Sequence, residues 1–421
     1  MQNISTDQNE EDKMSRDFSR KVLVINQYYY PDLAATGQIA AEICSSLAER
    51  GMDVHVVTAQ PCYTESSPEA PLFEVIDGVH VHRVAMGRFR GRKKMRVRVA
   101  GYFRFLWGAW RVARKLVRTN KPDVVLTFSN PPFVGLIGAR LSRKYKLKFT
   151  YVLHDIHPDI LVVTRWANIP HMLVHLWESM NRRIFKAAQT IVVLGDGMKR
   201  TLVDKKGVSP DKVKIIPLWA RPELTPLSHN QSIRNELNIA DGELLLLYSG
   251  NMGVMHPLDP ILDAASLLKD EPVRFLFVGD GVRRNDLVKR VEEESLSKVS
   301  FLPFQPIERF VQLVAASDAC LVALMPGMEG LAVPSRSYTF LSAGRPLITI
   351  MAPEADIARL ITENECGWNA TSGQDLAKLI RKLLVNRHEL VDRGVKARDL
   401  YENRFKKERI IESFTEVLLE K

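Results

Sequence analysis

The chain is poor in cysteine, and what it has is scattered: Cys44, Cys62, Cys320 and Cys366 stand far apart in 421 residues. That spacing excludes a zinc knuckle or a redox pair and predicts reduced, mostly buried thiols of a cytosolic protein. Long apolar runs are missing too. No uncharged apolar stretch of about 18 to 20 residues exists, so no membrane-spanning helix is expected. The first twenty residues are polar and lack the apolar core of a signal peptide, so residues 1–20 are expected to form a flexible tail. A complete Gly-x-Gly-x-x-Gly fingerprint is also absent, which argues against a nicotinamide dehydrogenase.

Acidic residues are lacking from one long segment. Net charge is +10, which suggests an anionic partner, but its placement is more informative than its size. Between Arg88 and Arg118 there is no Asp or Glu, while Arg92, Lys93, Lys94, Arg96, Arg104, Arg111 and Arg114 are among the basic residues there. Val99, Tyr102, Phe103, Leu106, Trp107, Trp110, Ala113 and Val117 recur at helical spacing, which predicts an amphipathic helix with one apolar face and a cationic border. Such a helix suits packing on its own sheet, a nucleic-acid surface, or an interfacial anchor to anionic lipid. No helix-turn-helix, zinc-finger or RNA-binding signature accompanies the charge, so nucleic acid is not expected as a partner.

What is present is an alternation of short apolar strands and helical stretches, the pattern of parallel α/β sheets. Strands are expected at Lys21–Asn26, Asp53–Thr58, Val79–Val84, Asp123–Phe128, Lys148–Leu153 and Thr190–Leu194. After a proline-rich seam near Ile216–Ser228 the pattern restarts at Leu244–Ser249, Val273–Val278, Val299–Leu302, Ala319–Leu324 and Pro346–Ile350. Two Rossmann-like doubly wound domains are therefore expected, 21–218 and 219–400, facing a central cleft at the carboxyl ends of both sheets. A last helix from about Arg398 to Leu419 would belong to either, with 401–421 crossing back to the first as one possibility.

Several strand ends carry residues suited to anions and sugars. After the first strand, Thr36 and Gly37 lie in a small-residue turn expected just before a helix that runs to Arg50. Backbone N–H groups there would face an anion, or Gly37 would only relieve crowding. Tyr248-Ser-Gly-Asn-Met-Gly253 and Val278-Gly-Asp-Gly281 end two later strands in glycine turns that suit backbone contact with a nucleotide. Ser335 and Arg336 open a helix after an irregular loop, and would form either a diphosphate clamp or a cap followed by a solvated guanidinium. His154-Asp-Ile-His-Pro-Asp159 follows a buried strand; it offers sugar-hydroxyl or acid-base contacts, or a surface histidine with a capping Asp. His-x2-His raises metal, but no third ligand is evident nearby in sequence.

Taken in order, these motifs resemble the family 4 retaining glycosyltransferases of the GT-B fold, from Lys21 to about Phe414. The likeness is carried by Tyr29-Tyr-Pro-Asp-Leu-Ala-Ala-Thr-Gly-Gln38, Ser249-Gly-Asn-Met-Gly253, Val278-Gly-Asp-Gly281, Phe301-Leu-Pro-Phe-Gln305 and Val333-Pro-Ser-Arg-Ser-Tyr-Thr-Phe-Leu-Ser-Ala-Gly-Arg-Pro346. The similar branch is the bacterial polysaccharide and O-antigen group that includes colanic-acid and fucosamine transferases. The resemblance implies Gly37 near donor phosphates and acceptor, and His154 beside the donor sugar. It places Gly250 and Asn251 at the diphosphate, Asp280 and Gly281 at the nucleoside, and Ser335 and Arg336 on phosphate oxygens. Two departures stand out. Thr339 occupies the place of the second Glu of a Glu-x7-Glu element, with Glu329 as a stand-in for the first. Val254 and Met255 occupy a place that often holds a basic residue.

The resemblance implies a metal-independent retaining hexosyltransferase with no cofactor. Its donor would be a nucleotide diphosphate sugar, and its acceptor a lipid-linked saccharide or growing glycan. The expected location is cytoplasmic and peripheral on the inner face of the cell membrane, with Arg92, Lys93, Lys94, Arg96, Trp107 and Trp110 meeting an anionic surface. Competing readings are a GT-B epimerase or hydrolase, and a catalytically silent scaffold of a polysaccharide assembly complex.

Overall fold

A computed structural model describes residues 20–32, 34–61, 69–85, 95–165, 169–221, 223–226 and 230–420, without the side chains of 35 and 95–98. Within these residues lie two sheets. The first comprises β1 (Lys21–Ile25), β2 (Asp53–Ala59), β3 (Phe73–Ile76), β4 (Val79–Val84), β5 (Val124–Phe128), β6 (Lys148–Leu153), β7 (Thr190–Val193) and β8 (Val213–Ile215) in the order β3-β4-β2-β1-β5-β6-β7-β8. The second comprises β9 (Leu244–Asn251), β10 (Val273–Asp280), β11 (Val299–Leu302), β12 (Ala319–Ala323), β13 (Leu347–Ile350) and β14 (Gly367–Ala370) in the order β11-β10-β9-β12-β13-β14.

The strands read as unbroken apolar runs because helices cover both faces. Every residue of Val124–Phe128 and of Ala319–Ala323 is buried. Strand order reverses between β1 and β5, and again between β9 and β12. At such reversals the flanking helices diverge and leave a crevice beyond the carboxyl ends of the strands.

β3, β8 and β14 were not among the expected strands. β3 is antiparallel to β4 and joined to it at Asp77-Gly78, both at positive φ (48° and 77°), as a two-residue Asp-Gly hairpin requires. β8 and β14 are short strands at sheet edges, too brief for periodicity to reveal.

Helix α1 spans Ala35–Glu49, so Thr36 and Gly37 belong to its first turn instead of preceding it. Helix α2 (Met95–Asn120) packs against β4, and a Cβ on Gly108 would fall 2.2 Å from Val84 Cγ1, so this close approach needs glycine. The single apolar face expected for α2 is replaced by two. Phe105, Ala109, Ala113, Leu116 and Val117 are buried on the sheet, whereas Val99, Phe103 and Trp107 point outward, the last two 64% and 63% exposed. Helices α3 (Gly135–Tyr145) and α4 (His171–Ala187) continue this layer, α3 touching both α2 and α4.

In the second domain, α5 (Arg336–Ser342) begins below the cleft and packs on α6 (His388–Arg404). The chain then breaks at Phe405–Lys406, and α7 (Lys407–Leu419) starts afresh, so one terminal helix from Arg398 is incorrect. Helix α7 crosses back to the first domain. Ile410, Ile411, Phe414 and Leu418 are buried there with Val22, Val24, Val54 and Val56. Lys407 Nζ lies 3.3 Å from Glu42 on α1, whose carboxylate also accepts from Trp219 Nε1 at 2.8 Å. Cys44, Cys320 and Cys366 are buried and unpaired, and Cys62 lies outside the described residues.

Removing the Phe414 ring should cost about 3–5 kcal/mol of first-domain stability, since the site is closed on all sides. Chemical unfolding of Phe414→Ala should lower the midpoint of the corresponding transition; an unchanged midpoint would mean α7 is not part of that core.

Candidate functional site

The two sheets place their carboxyl edges around a cleft of about 260 Å³. Gln38 and Glu42 of α1 line one wall, Trp219 and Arg221 of the connector the back, and Ser249, Val278, Phe304, Gln305, Phe310, Ser335, Arg336 and Thr339 the other wall. Of the expected site residues, Ser335, Arg336 and Thr339 therefore reach this space. Gln38, Glu42, Trp219, Arg221 and Phe310 were not singled out, although a lone arginine in a proline-rich connector is a visible signal.

Arg336 dominates the electrostatics. Burial pulls its pKa down, the Tyr248 phenol opposes that pull, and Arg221 adds to it. Its guanidinium lies 5.5 Å from the Phe310 ring, and no carboxylate among the described residues pairs with it. A guanidinium does not give up its proton, so a half-buried one without a counter-ion favours an anionic ligand. The guanidinium is half-buried at the cleft wall and not a fully solvated surface group, and the Ser335 hydroxyl does not cap the helix behind it.

Gly250 and Asn251 are brought beside Asp280 and Gly281 by register, Gly250 facing Gly279 and Asn251 facing Asp280. Gly250 adopts φ +150°, and its missing Cβ would stand 3.8 Å from Arg336 Nε, so backbone and guanidinium share one corner. Gly279 is confined further: a Cβ there would meet Gly250 O at 2.0 Å. Asp280 Oδ1 accepts the Gly281 N–H at 2.8 Å, and Tyr248 Oη donates to Asn251 O at 3.0 Å, so the turn is internally braced.

Gly37 differs from expectation. Its N–H donates to Ala34 O at 2.8 Å and so is not offered to an anion, while a Cβ would stand 2.9 Å from Tyr28 Cβ. Crowding explains this glycine. Thr36 is half-buried, and its carbonyl accepts from Asn26 Nδ2 at 3.3 Å.

His154 is 7% exposed at the end of β6, which overturns the surface-histidine reading. Its backbone N–H donates to Ser129 Oγ, its ring meets Phe128 edge-on at 5.7 Å, and Nε2 has no partner within the described residues. Burial lowers its pKa, with the Asp155 charge opposing, so the ring is neutral near pH 7. Among the described residues no third ligand joins His154 and His157 in a metal-sized group. Glu329 turns one oxygen to the Gly327 N–H at 2.8 Å, leaves Oε1 buried without a partner, and is not part of the cleft wall.

Of the basic border, Arg92, Lys93 and Lys94 lie outside the described residues, as does the side chain of Arg96. Trp107 is exposed with the Arg111 guanidinium 4.6 Å from its ring centroid; Trp110 is half-buried beneath Arg140. No helix among the described residues is long and apolar enough to cross a membrane.

Two family models match the chain. Residues 35–219 match the glycosyl transferase 4-like domain, and residues 229–403 match the glycosyl transferases group 1 model. The chain is 28% identical over 269 residues to WbjE of Pseudomonas aeruginosa, described as a glycosyltransferase, covering 63% of this chain and 67% of that one. It is 26% identical over 343 residues to WcaI of Escherichia coli, described as a colanic acid biosynthesis glycosyl transferase, covering 77% and 81%. Among solved structures, HepE of Anabaena in complex with UDP and glucose superposes with a TM-score of 0.68 at 17% identity, over 95% of this chain and 99% of that one.

Burial holds His154 and His256 below the ordinary imidazole value of 6.5. The unfolded chain then takes up these protons at higher pH than the folded chain, so the stability they contribute is complete above about 6.5 and is lost as pH falls below it. His154→Gln should show a shallower loss of unfolding midpoint than the parent between about pH 7.5 and 5.5; equal slopes would contradict a buried neutral His154.

Proposed function

Because this chain belongs to the family 4 glycosyltransferases of the GT-B fold, we propose that its sugar transfer in cell-surface glycan biosynthesis runs from a nucleoside diphosphate sugar to a lipid-linked saccharide or growing glycan, with retention of configuration. Residues 219–400 bind the donor and 21–218 the acceptor. The observation that carries the reading is Arg336, a half-buried cation without a carboxylate partner, in a corner shared with the Gly250 backbone. The UDP and glucose held by HepE support a nucleoside diphosphate sugar as the matching anion.

In the reaction the bond from the anomeric carbon to the phosphate oxygen breaks, and a bond to the acceptor oxygen forms on the same face. The acceptor proton passes to the departing phosphate. Arg336 and the Ser335 hydroxyl meet the charge that develops on the diphosphate, which is the largest electrostatic demand of the step. No pair of carboxylates is required, in contrast to hydrolases that retain configuration through a covalent intermediate. His154, neutral and with Nε2 unpartnered, is suited to a sugar hydroxyl. Gly250 and Asn251 border the diphosphate, Asp280 and Gly281 the nucleoside side, Thr339 stands where a ribose-binding Glu is usual, and Thr36 and Gly37 border the acceptor. Glu329 supports the loop between β12 and α5.

The lipid part of the acceptor is met by α2 and α4. Each of these helices precedes a parallel strand and runs back along the sheet, so its amino-terminal half lies at the cleft end. Val99, Phe103 and Trp107 of α2, and Met172, Leu173 and Leu176 of α4, are exposed in those halves. Two apolar ridges on one rim, with Arg104 and Arg111 exposed beside the outward residues of α2, favour peripheral attachment to an anionic surface.

Arg336→Ala should lower turnover about 10²- to 10³-fold and weaken donor binding. Steady-state kinetics with calorimetry of the nucleotide checks both, and unchanged values would remove Arg336 from the clamp. Vesicles containing anionic lipid should retain the protein and release it at high salt, while Trp107→Glu combined with Leu176→Glu should stay unbound. Equal retention of parent and variant, or equal binding to neutral vesicles, would contradict this docking face.

A further inference from the structure

The first sheet carries a second cluster of chemistry-bearing side chains at the end opposite the cleft. Asp53 opens β2, His55 follows it, and His80 is the direct partner of His55 on β4. Asp53 Oδ1 lies 3.2 Å from His55 Nε2 and 3.8 Å from His80 Nε2, and the three candidate ligand atoms all fall within 4.8 Å of one another. We propose that Asp53, His55 and His80 form a zinc site that ties the β3–β4 hairpin edge to β2.

Four features support it. Tetrahedral zinc with bonds of about 2.0–2.2 Å separates its ligand atoms by about 3.3–3.5 Å, close to the distances from Asp53 Oδ1. The rings are already ordered: His55 and His80 stack at 4.6 Å, and Phe73 of β3 lies against His80. His55 Nδ1 is engaged by His82 Nε2 at 3.0 Å, the kind of partner that orients a ligating imidazole and leaves the other nitrogen for the metal. Asp53 and His80 are each about one-third exposed, which leaves a fourth position open to water. Lys21 approaches the other carboxylate oxygen, Oδ2, at 4.0 Å, so Oδ1 remains for the ion. The Asn120 amide, 2.9 Å from His55 Nε2, has to turn aside when metal binds. Two nitrogens and one oxygen with an open fourth place suit a borderline divalent ion better than Mg²⁺ or Ca²⁺, which favour all-oxygen sets.

The test uses the full chain without an affinity tag and Co²⁺ as the optical probe. The parent should develop the visible bands of tetrahedral Co²⁺, lose them to stoichiometric Zn²⁺, and gain a few degrees in melting temperature with Zn²⁺. His80→Ala should lose the bands and the Zn²⁺-dependent shift while sugar transfer stays at the parental rate, which separates metal loss from misfolding and from failure of the proposed reaction. Asp53→Asn should weaken binding at least tenfold. His82→Ala should retain the bands with reduced affinity. Parental protein without bands or shift, or His80→Ala binding as tightly as the parent, would overturn the site.

Discussion

A cleft between two sheets exists only while something holds their carboxyl edges face to face, and here that is a narrow backbone seam after β12. Ile156 N–H donates to Leu331 O at 2.9 Å, and Asp155 bridges Ala332. Alongside, Asp356 of the second domain accepts from Gly197 N–H of the first at 2.7 Å. The approach tolerates no side chains: a Cβ on Gly195 would meet Asp356 Oδ2 at 2.4 Å, and one on Gly330 would meet Gly197 O at 2.5 Å. Burial raises the Asp356 pKa and the Gly197 N–H opposes that rise, while Oδ2 is buried without a partner among the described residues. The loop carrying Glu329 runs from this seam to Ser335 and Arg336, so their position depends on it.

Charge in the cleft follows from what is absent beside Arg336. Thr339 lies one turn along the same helix, lines the cleft and brings no negative charge. Arg221 approaches from the connector, with Gln38 as its hydrogen-bond partner at 2.6 Å. Two guanidiniums around one space repel each other, and an anion that enters between them relieves that repulsion. A carboxylate at position 339 would have given part of that relief in the empty protein. The proposed reaction therefore draws more of its donor affinity from phosphate and less from ribose.

Much of the fold was legible because parallel strands buried on both faces read as plain apolar runs, as Val124–Phe128 does. Edge elements were harder: β8 and β14 are short, and β3 alternates with solvent while its one clear signal, Asp77-Gly78, is a turn. Glycine at 37 shows the limit of local sequence, since only the proximity of Tyr28 decides between an anion donor and close packing. The cleft was legible where a motif opens a helix, at Ser335 and Arg336. It was not legible at Trp219 and Glu42, which reach the site through a connector and a helix whose partners are far away in sequence. For α2, periodicity found the helix but merged two apolar faces into one, because residues at i, i+4 spacing on adjacent faces differ only by rotation.

Helix α7 carries a consequence for how the protein is made. Its thirteen residues come after every strand of the two described sheets, yet they pack on the core formed by β1 and β2, strands made long before it. Val22, Val24, Val54 and Val56 therefore remain partly uncovered until α7 is made, while strands β9 to β14 of the second domain all precede it. Until then the nascent first sheet exposes apolar surface of the kind that chaperones protect.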